Sequence, residues 1–133
     1  MRLLEQQFFH QEGKRPYRVT ISAVSIGDDL VVMVWGGEKP HVGAVAVSIP
    51  RPSLKNSAVT SATTSVYALV GHKEDDLAKA MAQKIAATLN KNVVLTAGIH
   101  VDSLSDDGIK ILETNCRIVL ESLIDYYLGQ QAP

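Results

Sequence analysis

The spacing of apolar residues changes from a strand-like to a helical pattern about halfway along the chain, and this order limits the folds available to it. YRVTISAVSIGDDLVVMVWGG (17–37) contains two Val- and Ile-rich runs around a GDD segment (27–29), which predicts a β-hairpin. HVGAVAVSIP (41–50) and the residues 65–70 predict a third and a fourth strand. NVVLTAGI (92–99) predicts a fifth strand, which is apolar on both faces and is therefore expected to be central and covered.

Two helical patterns occupy the second half of the chain. The first begins with three acidic residues (74–76), where the helix dipole favours negative charge, and has an apolar stripe at four-residue spacing up to Leu89. The second begins near Ser105, a good N-cap, and runs to Gly129 with a stripe that includes Cys116. The order of strands and helices predicts an α+β fold, with a mixed or antiparallel sheet of about five strands and two main helices packed on one face.

The length and composition predict one domain in the cytoplasm. In a chain of 133 residues we expect a single α+β domain over 16–133, preceded by an N-terminal arm over 1–15 that is polar with an apolar island. The net charge is -1 without a basic block, which argues against nucleic-acid binding, and no apolar run approaches the roughly 18 residues of a membrane-spanning helix. The single cysteine, Cys116, suits a reducing compartment, and its place on the helical stripe predicts a core residue.

Each predicted strand-to-helix junction carries a glycine followed by polar side chains. The residues are Gly71, His72 and Lys73 at the first junction, and Gly98, His100 and Asp102 at the second. A helix N-terminus binds phosphate or carboxylate groups well because its N–H groups are unpaired, and a glycine lets a ligand approach the backbone closely. The two junctions therefore predict one ligand site. The alternative is that the glycines form turns and the histidines are polar residues satisfied by the backbone.

The segment WGGEKPHVG (35–43) has an unusually bare backbone on both sides of a proline and a histidine. Its candidate ligand-contacting residues are Gly37, Pro40, His41 and Gly43. A hairpin turn with small residues for sheet packing would explain the same pattern. Trp35 could stack on a planar ligand or pack against the sheet.

A hydroxyl-rich stretch follows the third predicted strand. RPSLKNSAVTSATTS (51–65) is predicted to be a long loop, and long loops in compact domains tend to be functional or mobile. Arg51 and Ser53 are candidate contacts for a phosphate or a ribityl-like chain. The alternative is a solvated, flexible loop without a ligand.

The histidines also allow catalytic and metal-binding interpretations. His72 or His100 could act as a general acid or base, with Asp102 as its orienting partner, in a small hydrolase or isomerase. His41, His72, His100 and Asp102 include the ligand types of a zinc site, but their spacing matches no common zinc motif. Nucleophilic catalysis with a serine lacks a nucleophile elbow. A structural oligomer without a ligand is a further alternative.

Three segments, in this order, resemble the small LpdD-like proteins, which are proposed prenylated-flavin chaperones encoded beside UbiD-type decarboxylases. The segments are GGEKPHVGAVAVSIPRPSL, SVYALVGHKEDDLAKAMAQKIA and VLTAGIHVDSLSDDGIKIL. The resemblance spans about residues 16–128. It implies a fold akin to proteasome-assembly chaperones and a non-enzymatic role, in which the protein binds prenylated FMN or FMN and passes it to an apo-decarboxylase for hydroxyarylic acids.

The resemblance also implies where the flavin would lie and which partners the protein would have. The phosphate would lie near the first junction, or near Arg51 and the hydroxyls that follow it. Pro40, His41 and Gly43 would approach the ring system, while the histidine and aspartate of the second junction would position its polar edges. The implied partners are a UbiD-type decarboxylase and further copies of the chain, as a homodimer or another homo-oligomer, without nucleic acid or membrane.

Overall fold

The chain folds into a mixed β-sheet with helices packed on one face. The computed structural model describes residues 7–69 and 74–131. Within these ranges there are six strands and two helices: β1 (Gln7–Glu12), β2 (Val19–Ile26), β3 (Asp29–Gly37), β4 (Ala44–Pro52), β5 (Thr60–Ala68), α1 (Glu74–Leu89), β6 (Val93–His100) and α2 (Asp106–Gln131). The predicted α+β class is confirmed.

The strand order across the sheet is β1-β2-β3-β6-β4-β5. β3 and β6 run parallel, and the other neighbouring pairs of the described sheet are antiparallel. The predicted hairpin is β2–β3, with Gly27 at a positive φ of 60° in its turn. β6 is inserted between β3 and β4, so these two strands, which are consecutive along the chain, are not neighbours in the sheet.

The core lies between the sheet and the helices. Alternate residues of the inner strands point towards the helices and are fully buried; in β2 and β6 they include Val19, Ile21, Val93 and Leu95. α1 packs across β4, β5 and β6, and α2 packs on β1 and β2. α1 ends at Leu89, and Asn90 follows in the left-handed conformation with φ 55°, which closes the helix in the usual way. Neither helix in the described residues is long and apolar enough to cross a membrane.

The predicted central position of β6 is confirmed, but only one of its faces is covered. Val93, Leu95 and Ala97 face the helices and are fully buried. Val94 points to the opposite face of the sheet and is 37% exposed. Among the described residues, that face therefore lacks the covering layer that the apolar pattern predicts.

The prediction of a long loop over 51–65 is wrong. β4 continues to Pro52 and β5 begins at Thr60, so the connection covers only 53–59. The hydroxyls lie along paired strands: Ser48 and Thr64 are hydrogen-bonded through their hydroxyl oxygens at 2.8 Å. Threonine is β-branched and therefore fits a strand, and an edge strand can expose a hydroxyl-rich face to water.

The predicted N-terminal arm contains a strand of the sheet. β1 pairs with β2 along its full length, and Phe8 packs on Tyr126 of α2 with ring centroids 5.1 Å apart. The sequence QFFHQE has no β-branched residue, so its strand-forming signal is weak. Residues 1–6 lie outside the described ranges.

Candidate functional site

Several chain segments meet at one end of the sheet, which we call the groove end. β3 and β6 both finish there, with Gly37 opposite His100, and β4 and α1 begin there. The connection 38–43 between β3 and β4 crosses the end of β6. It is held there by hydrogen bonds, since the Glu38 N–H donates to the His100 carbonyl at 2.7 Å and the Gly43 N–H donates to the Ala97 carbonyl at 2.9 Å.

The glycines at the groove end allow these segments to approach each other. A Cβ on Gly98 would overlap the carbonyl of His41, where the connection crosses β6. Gly37 has a φ of 75°, and a Cβ there would overlap the carbonyl of His100. A Cβ on Gly43 would come within 2.9 Å of the Glu74 carboxyl carbon. Contacts within the chain thus account for all three glycines, and a bound ligand is not required to explain them.

The side chains of His41 and Glu74 contact each other beneath this crossing. Glu74 is the first residue of α1 and is only 8% exposed, and its Oε1 lies 2.9 Å from Nε2 of His41. Nδ1 of His41 lies 2.9 Å from the Lys39 carbonyl oxygen. Each ring nitrogen of His41 therefore lies within hydrogen-bonding distance of an oxygen atom, one in a side chain and one in the backbone.

The second carboxylate oxygen of Glu74 has unused hydrogen-bonding capacity. Oε2 is buried, and it has no hydrogen-bond partner in the part of the chain that the structure describes. A buried polar atom without a partner is costly, and an acceptor in this position is satisfied when a donor reaches it. Sequence analysis missed Glu74, because an acidic residue in the first turn of a helix is normally explained by the helix dipole.

A groove of about 550 Å³ opens beside Glu74, between α1, α2 and the end of β6. Most of its lining is apolar, and it comprises Leu77, Ile99, Leu104, Ile109, Leu112 and Cys116 together with Glu74, His100 and Glu113. A volume of this size falls in the range of small-molecule sites, which typically combine apolar walls with a few polar groups. The groove can therefore hold an apolar or aromatic body beside Glu74.

His100 and Asp102 form a polar cluster at the mouth of the groove. Nε2 of His100 lies 2.8 Å from Oδ1 of Asp102, and Nζ of Lys39 lies 3.4 Å from Oδ2. The Asp102 N–H donates to Oε1 of Glu38 at 2.8 Å. The hydrogen bond from His100, followed by Lys39, lowers the pKa of Asp102, so the carboxylate is ionised at neutral pH and orients the imidazole.

The structure brings together most, but not all, of the site residues that the sequence predicts. Those at the groove end are Gly37, Pro40, His41, Gly43, Gly98, His100 and Asp102. Arg51 and Ser53 are not among them, because they lie at the opposite end of β4, about 25 Å away for eight residues of strand. Gly71, His72 and Lys73 lie outside the described residues, although Glu74 follows them directly in the chain.

The structure also bears on the other interpretations of these side chains. The described residues contain no cluster of three or more His, Cys, Asp or Glu side chains that could hold a metal ion. Cys116 is buried as predicted, and burial raises the pKa of its thiol to about 12, with a smaller contribution from Glu113. Trp35 is half-buried beside Gly98, on the face of the sheet without helices, and therefore does not line the groove.

The chain is similar to LpdD-like proteins in sequence and to a proteasome-assembly chaperone in fold. A chain of a chaperone complex for yeast 20S proteasome assembly matches 95% of this chain, and 97% of its own length, with a TM-score of 0.56 and 16% identity, which shows a shared fold. Protein LpdD of Lactiplantibacillus plantarum is 34% identical over 80 residues, which are 60% of this chain. The match spans about half of that relative, 55% of its length.

The family comparison covers nearly the whole described fold. The profile of the family described as "prenylated flavin chaperone LpdD-like domain" matches residues 13–128. This range contains β2 to β6, α1 and most of α2, and therefore every element that forms the groove end. Since the match extends over far more than half of the chain, the protein belongs to the LpdD-like family of chaperones.

Proposed function

We propose that this protein is a non-enzymatic accessory protein that binds prenylated FMN in the groove and passes it to a UbiD-type decarboxylase. The observation that carries the proposal is the apolar groove, which is lined in part by Glu74, a residue whose buried Oε2 has no hydrogen-bond partner among the described residues. Membership of the chaperone family supports the accessory role. The flavin and the decarboxylase are the finer parts of the proposal, and they require the experiments below.

The residues of the groove suit a prenylated flavin in three respects. Its volume of about 550 Å³ can take a fused ring system, and its apolar walls match the faces of such a ring. The pyrimidine edge of a flavin carries an N–H group, which is the type of donor that Glu74 Oε2 requires. The carboxylates of Glu74 and Glu113 disfavour a phosphate inside the groove, so the phosphate belongs outside it.

The phosphate would lie at the first junction, where His72 and Lys73 directly precede α1 in the chain. Phosphate binding there would use the Lys73 ammonium group, backbone N–H groups and the positive end of the helix dipole, which together would have to outweigh repulsion from the three acidic residues (74–76) in the first turn of α1. The second predicted position, near Arg51 and Ser53, is too remote to serve the same molecule, because it lies about 25 Å from the groove end along β4.

Two further parts of the proposal concern the setting in which the protein acts. We expect it to work as a homodimer or another homo-oligomer, as is often the case for chaperones of this fold. We also expect it to act in the cytoplasm, where a lone, buried thiol such as that of Cys116 suits the reducing conditions.

A small hydrolase or isomerase is a second candidate, because His100 and Asp102 have the geometry of an oriented general base. The distance of 2.8 Å between them is typical of such a pair. This candidate predicts turnover by the purified protein alone, with a bell-shaped pH profile and loss of activity in His100→Ala. The chaperone proposal predicts no turnover without the decarboxylase.

The binding experiment compares one variant in the groove with one at the remote end of β4. The protein is purified after co-expression with a flavin prenyltransferase, and its absorbance and native mass spectra are recorded. We expect the wild type to retain a flavin-sized adduct, and Glu74→Gln to bind it at least about tenfold more weakly, since a hydrogen bond to a charged acceptor is worth about 1.5–3 kcal/mol. Arg51→Gln is the matched control and should bind like the wild type.

Two results would contradict the proposal. One is a colourless wild-type protein with the mass of the bare chain, unchanged by added FMN or prenylated FMN. The other is equal loss of flavin in Glu74→Gln and Arg51→Gln, which would place the ligand elsewhere. Circular dichroism must show that both variants are folded. Transfer is then measured as decarboxylase activity gained by an apo-decarboxylase on mixing with the loaded wild-type protein.

A further inference from the structure

β4 and β5 form a hairpin that extends beyond the rest of the sheet. The two strands pair along their full length, from Ala44 opposite Ala68 to Pro52 opposite Thr60. β6, the other neighbour of β4, pairs with it only as far as Ser48. Among the described residues, the last four residues of β4 therefore have a paired strand on one side only. At about 3.3 Å per residue they extend about 13 Å past Ser48.

The base of this hairpin belongs to the core, whereas its end is exposed. Ala62 is only 3% exposed and is part of the hydrophobic core. From residue 51 to residue 61, by contrast, no residue is buried. The hairpin thus projects from the domain, and we call its exposed part (51–61) the β4–β5 tip.

Hydrogen bonds within the β4–β5 tip fix the conformation of its turn. The Ser53 N–H donates to the Val59 carbonyl at 2.7 Å, and the Val59 N–H donates to the Asn56 carbonyl at 3.0 Å. Two side chains also accept from the backbone: Oγ of Ser53 from the Lys55 N–H at 3.2 Å, and Oδ1 of Asn56 from the Ala58 N–H at 3.1 Å. A preorganised surface of this kind loses little conformational entropy when it binds a partner.

The hairpin exposes apolar side chains that contacts within the described chain do not explain. Leu54, in the turn, is 92% exposed, which is the largest value among the exposed large apolar side chains of the described residues. Val59 is 52% exposed, and Ile49, just before the tip, is 55% exposed. A leucine that a fixed turn holds in water is suited to enter an apolar pocket on another molecule.

The β4–β5 tip is also positively charged in a chain that is acidic elsewhere. Its charged residues are Arg51 and Lys55, and no aspartate or glutamate occurs between Glu38 and Glu74. Since the whole chain has a net charge of -1, the remainder of the chain is net acidic. Nε of Arg51 donates to the hydroxyl of Thr63 at 2.7 Å, which orients the guanidinium group without neutralising it. Charge complementarity therefore favours a partner surface that carries carboxylates.

Two prolines favour binding through side chains over strand addition. Pro50 and Pro52 lie where β4 has no paired strand on the β6 side. Proline lacks the backbone N–H group that a paired strand donates, and it is confined to edges within sheets for that reason. Addition of a further strand, from a partner or from a second copy of the chain, is thus disfavoured here.

We propose that the β4–β5 tip docks the client decarboxylase, with Leu54 in an apolar pocket and with Arg51 and Lys55 against carboxylates at the rim of that pocket. The inference deepens the proposed function and rests on its accessory role, but it does not require flavin binding. The tip lies about 25 Å from the groove end along β4, so a client docked there does not cover the groove. Docking and transfer would therefore use different surfaces of the molecule.

An anionic membrane is the other surface that could bind a basic tip with an exposed leucine. Recognition of anionic lipids typically uses a cluster of about four to eight basic residues. The β4–β5 tip has only Arg51 and Lys55. The observations therefore favour a protein partner, and the membrane is one of the outcomes of the test.

The test measures the affinity of the ligand-free protein for the apo-decarboxylase used in the transfer measurement, by biolayer interferometry. Leu54→Ser removes the apolar anchor, and Leu128→Ser, at an exposed leucine of α2, is its control. Lys55→Glu reverses a charge of the tip, and Lys84→Glu, at an exposed lysine of α1, is its control. We expect each tip variant to bind at least about tenfold more weakly than the wild type, because a buried leucine and a matched charge are lost. Each control should stay within about twofold of the wild type.

Transfer provides a second measurement, which loss of folding would affect differently. Leu54→Ser should retain flavin as the wild type does, since Leu54 is remote from the groove. With this variant, the concentration that gives half-maximal activation of the decarboxylase should rise about tenfold, while the maximal rate stays unchanged. Added salt should weaken the wild-type complex more than the complex of Lys55→Glu, because salt screens exposed charges.

The possible failures of this inference and of the proposed function are distinguishable. A wild-type complex that Leu54→Ser and Lys55→Glu leave intact would overturn the docking inference, while the proposed function would stand. A wild type that binds the decarboxylase but no flavin would contradict the proposed function and leave the docking supported.

Two further outcomes would overturn the docking inference. One is a wild type that forms no complex with the decarboxylase. The other is wild-type binding to vesicles of phosphatidylserine and phosphatidylcholine that both tip variants lose, without binding to the decarboxylase, since this would identify a membrane as the partner of the tip.

Discussion

Both ends of the sheet are rich in polar side chains, but the hydrogen bonding of these side chains differs between the two ends. At the end opposite the groove, which we call the hairpin end, the turns at 27–28 and 53–59 are largely exposed, and polar residues that flank them form hydrogen bonds with neighbouring polar groups. Nε of Arg51 donates to Oγ1 of Thr63 at 2.7 Å, and Oδ1 of Asp29 accepts from the Asn92 N–H at 3.2 Å. At the groove end, Oε2 of Glu74 is buried and has no hydrogen-bond partner among the described residues.

This difference shows which property marks a ligand site. Arg51 and Ser53 suggested a phosphate site by residue type alone, yet they lie only half-buried at a hairpin where water can solvate them. Glu74 has an ordinary residue type for its position, but its burial makes its unsatisfied oxygen costly. The chemical environment of a polar atom, more than its identity, therefore separates the two ends.

The largest expected effect is the difference in stability between glycine substitutions at the two ends, because only the glycine at the groove end lies against another backbone segment. Gly98→Val should prevent folding or cost at least about 3 kcal/mol in the free energy of unfolding, because its Cβ would overlap the His41 carbonyl and the backbone cannot easily move away. Gly27→Ala at the hairpin end has open space around its Cβ and should cost only about 1 kcal/mol, from its positive φ. Urea unfolding measures both values. Equal costs would show that the 38–43 connection does not lie against β6.

The next effect is the difference in thiol reactivity between the ends. The pKa of Cys116 is raised from 9.0 to about 12, chiefly by burial, so its thiolate at pH 8 is about a thousandfold scarcer than that of an exposed thiol. In a Ser57→Cys variant, iodoacetamide should therefore modify the new cysteine in the exposed 53–59 turn long before Cys116, as measured by peptide mass spectrometry. Unfolding in urea should abolish the difference. Similar rates in the native protein would show that the groove leaves Cys116 open to solvent.

The same pKa shift has a consequence for stability at alkaline pH. Because the thiol of Cys116 has a higher pKa in the folded than in the unfolded chain, its contribution is complete below pH 9.0 and is lost as the pH rises towards 12. A Cys116→Ala variant would remove this part of the pH dependence while creating only a small cavity. We therefore expect the free energy of unfolding to fall more steeply between pH 9.0 and 12 in the wild type than in the variant, as measured by urea unfolding at a series of pH values.

The smallest effect concerns the exposed pair at the mouth of the groove. The pKa of Asp102 lies below its ordinary value of 3.8, first because of His100 and then because of Lys39, so its stabilising contribution exists above pH 3.8 and is lost as the pH falls through the depressed value. Asp102→Asn should lower the melting temperature by a few degrees at most near neutral pH, as exposed ion pairs contribute little. This lowering of the melting temperature should become smaller at acidic pH, because protonation of Asp102 removes the same interaction from the wild type. Asp28→Asn, in the exposed turn at the hairpin end, is the matched control.

Local patterns predicted the elements whose signals are local. The stripes of α1 and α2, the turn at 27–29 and the two apolar faces of β6 follow from spacing and residue type over short stretches. β1 and the first half of β5 were missed, because QFFHQE and TSATT resemble polar coil unless a neighbouring strand is known. A short stretch of sequence does not show which distant strand it will pair with.

The candidate site was predicted in part for the same reason. His41, His100 and Asp102 were identified because each lies within four residues of a glycine near the start or the end of a predicted strand. The role of Glu74 depends on His41, which is distant in the chain and reaches it only because the 38–43 connection crosses β6. Only the folded structure shows that this crossing buries a carboxylate.

The insertion of β6 between β3 and β4 also governs the order in which the molecule can be assembled. During synthesis, β1–β3 and β4–β5 emerge as two separate antiparallel units, and they share no edge until residues 93–100 have been made. Pairing of this kind joins parts of the chain that are far apart, which slows folding. The floor of the groove is the end of β6 and one wall is α2, so a nascent or truncated chain has no groove to fill. Ligand retention would therefore report that the whole chain has been completed and folded.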